Sequence, residues 1–493
     1  MSRMVSTWRR RMAFALVAMA LAAVIVWLWS VKVVPTPADE LDLGDWMKRL
    51  TIVPGLFALV TFFVTTMATY ASAEASTPQA TTRPSSAGQE SAKPFIAQVV
   101  GLEWLNPLQR RDYPTEWQAL WTMGLVQPNR DDDMVRTDPE SFTTLQSVAG
   151  VAYGNHGKET FRGYYEKYID GLLPRFGNRY VMNSKYFYTV KSDNRNDWRE
   201  LAGIHVEFAI PPRLDPIEAR AYLRDEIINN YEIGNRSARD LWSHDTPPDV
   251  RITQGGANAG FTSLNAALDY LQANPDKSVW VMNWDAPSFP PKDGQINENM
   301  VLLFLVGPDF NTERAPLAWI GRAATSNVQD FERKAGTTRA VEAWKAAIAT
   351  AASNANIPAT SIDYVIHDAG QGNDEASSRI GTLGQTLTET LPEFDFRKHT
   401  FNTPSLLGEM GTGTALTDVV LAIGRANHLG ERVLVAGTSD RDHPVAVVIA
   451  PPAQPVPIDP NADWFRARGE DNAYLPWWGR RHDTQYGRQG WSW

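Results

Sequence analysis

The sequence predicts an α/β body of two similar halves, set behind a membrane hairpin. Three observations carry that prediction. Two runs near the N-terminus are uncharged, and strand-like and helix-like segments alternate from residue 95 to 450. Both halves of that region also share one rhythm of strand, glycine turn, helix and paired strands. Short apolar runs separated by helical patterns indicate layered α/β architecture, not an all-α or all-β one. With 493 residues and 43% hydrophobic content, the chain can bury a sizeable core.

Residues 12–31 and 50–73 carry no charge. Each exceeds the roughly 18 apolar residues that mark a spanning helix. Arg9, Arg10 and Arg11 precede the first run, and Lys48 and Arg49 precede the second. The loop between them holds Asp39, Glu40, Asp42 and Asp45. With the basic flank kept inside, the N-terminus is expected in the cytoplasm and the chain returns there after two spans. The alternative is a cleaved signal peptide followed by one span, although the first run is long for such a segment. The expected location is the inner membrane, with the main domain cytoplasmic.

Residues 74–93 are rich in Ser, Thr, Ala, Gln and Pro without a large apolar side chain, the composition of a disordered tether. The pattern over 95–102 reads as a buried strand ending at Gly101, and 116–121 as a helix. Phe161, Tyr164, Tyr165 and Tyr168 lie at helical spacing and read as core. A strand over 203–210 is stopped by Pro211 and Pro212. His205 on it reads as a packed strand residue, not a ligand. The glycine turn 255–260 leads into a helix over 261–271, followed by strands over 278–285 and 300–306. The first of these two strands carries Trp280 and Trp284, which suit a dimer interface or a lid.

The second half opens with an Ala-rich helix over 342–352. A strand over 362–366 ends in His367, Asp368, Ala369 and Gly370. A helical stretch follows, then the turn 408–414 leading into a helix over 416–423. Strands over 433–437 and 445–449 close the half.

The chain has no cysteine, which excludes disulfides, thiolate metal sites and a cysteine nucleophile. Its net charge of −9 is spread without a long basic run, so nucleic acid is not an expected partner. No metal and no cofactor is expected.

Residues 96–124 resemble the opening of a β-ketoacyl synthase: a strand ending at a glycine, a turn with Pro107, then a helix with Glu116 and Trp117. Residues 255–271 are similar to that family's nucleophile turn and buried helix. His367 with residues 368–372 is similar to its His-Gly-Thr-Gly-Thr loop, and 407–409 to its Gly-His loop. The resemblance implies a thiolase-like five-layer αβαβα body. Carried across residue by residue, it also implies that the active site is degenerate. The nucleophile position falls within 257–262, the expected lysine corresponds to Pro404 and the second histidine to Glu409, which leaves His367. Family chemistry needs a thiolate to take the acyl group and imidazoles to polarise the donor carbonyl. A carboxylate at Glu409 would repel the developing enolate.

Two other readings of these turns stand beside that one. Thr262 or Ser263 with His367 and Glu409 would compose a hydroxyl nucleophile with base and orienter, making the body an acyl-binding hydrolase or transferase. Against this, a Ser or Thr after a glycine turn commonly caps the helix that follows. The glycines of 411–414 would suit phosphate at a helix N-terminus, but the turn lacks the lysine and spacing of a P-loop. Close helix–strand packing explains them as well.

Beyond Pro451 and Pro452, the prolines at 455, 457 and 460 make a stiff connector. The tail then carries Trp464, Trp477, Trp478, Trp491 and Trp493 among Arg466, Arg468, Arg480, Arg481 and Arg488. Trp and Arg are enriched at interface hot spots, so Trp464, Trp477, Trp478, Trp491, Trp493, Arg480 and Arg481 are candidate interface residues. The tail docks on the body, exposes a partner site, or does both. The whole chain, with its hairpin, tethered thiolase-like body and Trp-rich tail, resembles the type VI secretion lipase adaptor family. That resemblance implies a non-catalytic adaptor whose partners are a phospholipase effector and a VgrG-type spike protein. The expected organisation is a hairpin over 1–73, a linker over 74–94, body halves over 95–325 and 326–452, and a tail over 453–493.

Overall fold

A computed structural model describes residues 94–105, 169, 173, 204–231, 248–286, 296, 299–311, 315–370, 372–391 and 393–457. The expected hairpin, linker, 116–121 helix, 161–168 aromatic stripe and Trp/Arg tail lie outside them. The chain divides into units 1–92 and 93–493, and the described residues all belong to the second. Among the described residues no helix is long and apolar enough to cross a membrane.

Eleven strands form one sheet: β1 (Ile96–Leu105), β2 (His205–Ile210), β3 (Asp249–Gln254), β4 (Ser278–Asp285), β5 (Asn299–Val306), β6 (Ala318–Gly321), β7 (Ala324–Thr325), β8 (Tyr364–His367), β9 (Thr400–Asn402), β10 (Val433–Gly437) and β11 (Val445–Ala450). The helices are α1 (Pro216–Asn230), α2 (Ala259–Ala273), α3 (Arg339–Asn354), α4 (Asp374–Thr390), α5 (Thr403–Leu407) and α6 (Thr414–Leu429).

The strand order is β3-β2-β4-β5-β1-β6-β11-β10-β8-β9, with β7 beside β11. Read outward from the centre, the two halves are the same. β1 pairs antiparallel with β5, β5 antiparallel with β4, and β4, β2 and β3 run parallel. β6 pairs antiparallel with β11, β11 antiparallel with β10, and β10, β8 and β9 run parallel. The antiparallel pair of β1 and β6 joins the halves. The shared rhythm of the sequence is thus a duplicated topology.

Side chains on a strand alternate between faces, and here the alternation sorts them into separate cores. Val279 and Val281 of β4 join the central core, while Trp280, Met282 and Trp284 point the other way. Val433 and Val435 of β10 join the same central core, and Leu434 and Ala436 an outer one. Helices α2 and α6 fill the centre, α1 covers the outer face of the first half, and α3 and α4 cover that of the second. Five layers, αβαβα, result. The two central helices touch closely at Gly260, where a Cβ would lie 2.9 Å from Ala415 Cβ and 3.1 Å from Leu416 Cγ.

Three local expectations are corrected. β1 does not end at Gly101 but runs on to Leu105, because a register shift between Val99 and Gly101 keeps it paired with β5. β4 lies inside the sheet between β2 and β5 and is buried, so its edge is not open for dimer pairing, and Trp280 and Trp284 are core. α2 begins at Ala259 behind Asn258, so Thr262 and Ser263 sit inside the helix and cap nothing.

Candidate functional site

Four segments meet where the parallel strands of both halves end: the 255–258 turn before α2, the 367–372 loop after β8, the 402–413 segment after β9, and the 437–439 turn after β10. Parallel strands all deliver their carboxyl ends to one side, which is where α/β sheets build sites. Asn258 enters against Gly437, where a Cβ would lie 2.6 Å from Asn258 Oδ1 and 2.8 Å from Phe261 Cε2. Of the 257–262 window, Asn258 is thus the residue that meets the β10 turn.

His367 ends β8 and is 1% exposed. Its Nδ1 accepts the Ala369 backbone N–H at 3.3 Å, which leaves the proton on Nε2 in the neutral ring. Burial pulls its pKa down to about 4, so it is neutral at pH 7. Phe396 stands beside it, with ring centroids 5.8 Å apart. No hydrogen bond joins His367 to Ser263, whose hydroxyl is buried and unpartnered, and Thr262 is exposed on α2. The structure therefore does not assemble the hydroxyl nucleophile.

Asp368 faces the β10 turn. Its Oδ1 accepts the Thr438 backbone N–H at 2.5 Å and the Thr438 hydroxyl at 2.8 Å, and the Ser439 hydroxyl donates to Oδ2. Pro404 is the second residue of the short helix α5, where its missing N–H costs nothing. Glu409 follows α5, and a Cβ on Gly370 would lie 3.4 Å from its Oε1, so the loops after β8 and β9 do converge. Burial, then the nearby Asp368 charge, raises the Glu409 carboxyl above its ordinary value, with Arg379 opposing.

Behind them stands Asp418 on α6, which the sequence reading passed over. It is 1% exposed and its Oδ1 has no hydrogen-bond partner. Burial and then Asp368 push its pKa well up, the Thr403 hydroxyl pulls it down, and Glu409 raises it again. The signal was legible: Asp418 is the one charge in an apolar run, 415–424, that is too uniform for a helix with a wet face.

The 410–413 turn is held by the other half of the molecule. Asp285 Oδ2 accepts the Thr412 N–H at 2.8 Å, and Arg213 Nη1 lies 2.8 Å from Asp285 Oδ1. The Asn283 amide donates to the Gly413 carbonyl at 2.8 Å, and the Asn299 amide to the Met410 carbonyl at 3.2 Å. The Thr412 hydroxyl donates to the Gly255 carbonyl at 2.6 Å. Gly411, at φ 53°, and Gly413 leave room for these side chains, since Cβ atoms there would lie 2.1 Å from Asp285 Oδ2 and 1.5 Å from Asn299 Oδ1. Close packing, not phosphate, accounts for the glycines. The candidate interface residues of the tail lie outside the described residues.

His205, read as packed, is indeed buried. Its Nε2 lies 2.7 Å from Glu207 Oε1 and its Nδ1 3.1 Å from Asp249 Oδ2, and it stacks on Tyr270 at 3.9 Å. Among the described residues no His, Asp or Glu group is arranged to hold a metal ion.

Several solved condensing enzymes are similar to this chain. The Streptomyces albus JA3453 oxazolomycin ketosynthase domain OzmH KS8 shares 13% identity over 76% of this chain and 100% of its own, with a TM-score of 0.43. The ishigamide ketosynthase/chain length factor shares 18% over 72% and 99%, at 0.43. A variant of OleA from Xanthomonas campestris shares 7% over 72% and 98%, at 0.40. No curated protein matches. Residues 322–451 match the family model described as Type VI lipase adapter protein Tla3, C-terminal. The resemblance to the type VI lipase adapters thus holds over that segment.

Proposed function

We propose that this chain is a non-catalytic adaptor that binds a phospholipase effector in the cytoplasm and brings it to a VgrG-type spike of a type VI secretion system. The match of residues 322–451 to the lipase adapter family carries the reading. The chemistry of the site supports it. The chain has no cysteine, and a proline and a carboxylate stand where the resemblance expects a lysine and an imidazole. A carboxylate at Glu409 is a poor stabiliser of an enolate oxygen, because both species are anions.

A rigid layered body gives preorganised surface, which spares the ordering cost of binding. The apolar runs 12–31 and 50–73 would hold that body at the inner membrane and raise its local concentration near the secretion complex. Affinity capture of the full chain from cells that carry or lack the candidate lipase tests the reading. Capture of the lipase in stoichiometric amount supports it. Failure to retain both lipase and spike contradicts it.

A further inference from the structure

The sheet has two edges, and they are finished differently. β9 ends it on one side and is only three residues long. The Val365 N–H takes the His399 carbonyl, so Thr400 and Asn402 turn their main-chain groups outward. Their carbonyls are occupied there: the Tyr364 hydroxyl donates to that of Thr400 at 3.3 Å and the Ser405 hydroxyl to that of Asn402 at 2.7 Å. Pro404 follows in α5. Short length, a proline and occupied groups blunt an edge against pairing with another chain.

β3, on the other side, has none of these devices. It pairs with β2 over six residues without a register shift and contains no proline. The Asp249 N–H donates to the Ile204 carbonyl at 2.8 Å and the Gly255 N–H to that of Ile210 at 3.2 Å. Main-chain groups alternate in direction along a strand, so Val250 and Ile252 turn theirs to the open side. Among the described residues nothing bonds them there. Asp249 and Arg251 share one face of the strand, lie 3.2 Å apart and have side chains 57% and 60% exposed. His205 Nδ1, 3.1 Å from Asp249 Oδ2, helps to hold that carboxylate in place. Val250, on the opposite face, packs in the outer core with α1.

We propose that β3 pairs antiparallel with β3 of a second copy of this chain, about a two-fold axis between the two Val250 residues. In that register the two Val250 residues exchange two main-chain hydrogen bonds, and each Ile252 N–H reaches the partner subunit's Pro248 carbonyl. Asp249 of each copy stands opposite the partner subunit's Arg251, in the closer, non-hydrogen-bonded kind of pair where opposite charges attract. The charge pattern selects this register. A two-fold axis one residue further along sets Arg251 opposite the partner subunit's Arg251, which like charges disfavour. One two residues along leaves Asp249 and Arg251 with no opposite charge across the axis. The paired bodies share one continuous sheet, whichever effector the chain carries.

The absence of cysteine makes the pairing readable by cross-linking. Two full-length chains, one with Asp249→Cys and the other with Arg251→Cys, are tagged differently, co-expressed and oxidised. The expected result is a disulfide between the two chains, with far less between two Arg251→Cys chains. In the mixed pair, Arg251 of the first chain still faces Asp249 of the second. Arg251→Glu in the first chain should lower the yield ~5-fold, the upper scale of one exposed ion pair. Adding Asp249→Lys to the second chain should restore it, which a folding defect would not allow. Absence of a link in the mixture overturns the proposal. So does an equal link between two Arg251→Cys chains, or a yield indifferent to the charge changes.

Discussion

Asp285, the last residue of β4 in the first half, accepts the backbone N–H of Thr412, in the turn before α6 of the second half, at 2.8 Å. One half of the duplicated body thus positions the site loop of the other. The carboxyl is 2% exposed and its pKa is raised by burial, against which Arg213, then the Thr412 N–H, pull it back down. Asp285→Ala would remove the carboxylate facing Arg213 and leave the Thr412 and Ala286 N–H groups without their acceptor. We expect a loss of about 3 kcal/mol, since Arg213 is partly exposed and buried pairs lose roughly 3–5 when broken. Urea unfolding checks it, and in the Arg213→Ala background the same change should cost clearly less.

Gly413 and Gly256 make a matched pair of tests. A Cβ at Gly413 would fall 1.5 Å from Asn299 Oδ1, whereas at Gly256 it meets nothing within 4 Å. Gly413→Ala should cost ~3 kcal/mol or prevent folding, beyond ordinary overpacking. Gly256→Ala should stay within ~0.5 kcal/mol. Asn299→Ala combined with Gly413→Ala should recover part of the loss. Equal effects at the two glycines would contradict the packing described.

His367 sets a pH dependence on the acid side. Its pKa is 6.5 in the unfolded chain and about 4 when folded. Between those values the unfolded state binds the proton and the folded state does not, so stability falls as pH drops from 6.5 and levels below 4. At 1.36 kcal/mol per pKa unit the span is about 3 kcal/mol. His367→Gln should flatten this part of the stability curve, read by denaturant midpoints from pH 4 to 8.

Asp418 works in the opposite sense. Burial, and then the Asp368 charge, raise its carboxyl well above the ordinary value near 3.8, so the unfolded chain releases that proton at lower pH than the fold does. Stability is therefore full below 3.8 and falls as pH rises from there toward the raised folded value. Asp418→Asn should remove that decline, so the variant's melting temperature gains on the parent's as pH goes from 4 to 7. A constant difference would mean that Asp418 is ionised in the fold.

Much of this was legible in the sequence because strand periodicity is local. The apolar runs at 278–285, 300–306, 433–437 and 445–449 became β4, β5, β10 and β11 with shifts of a residue or so, and the repeated rhythm anticipated the duplicated topology. What escaped depends on the other half of the chain. The register shift in β1 follows from its pairing with β5, and the start of α2 from the close approach of α6 at Gly260. Asn283, Asp285 and Asn299 look like ordinary strand ends until the 410–413 turn lies across them. His367 and Glu409 were singled out from the family resemblance, and Glu409 Oε1 comes within 3.4 Å of where a Cβ on Gly370 would lie. Asp418 was missed because a lone acid within a helical pattern usually faces water, and α6 has no such face.

Intact-mass measurement of the purified full chain after incubation with acyl-coenzyme A thioesters tests most directly whether the site has lost its chemistry. An unchanged mass and no thioester consumption above the buffer rate are expected. An acyl adduct on Thr262 or Ser263 that disappears in His367→Ala would contradict it.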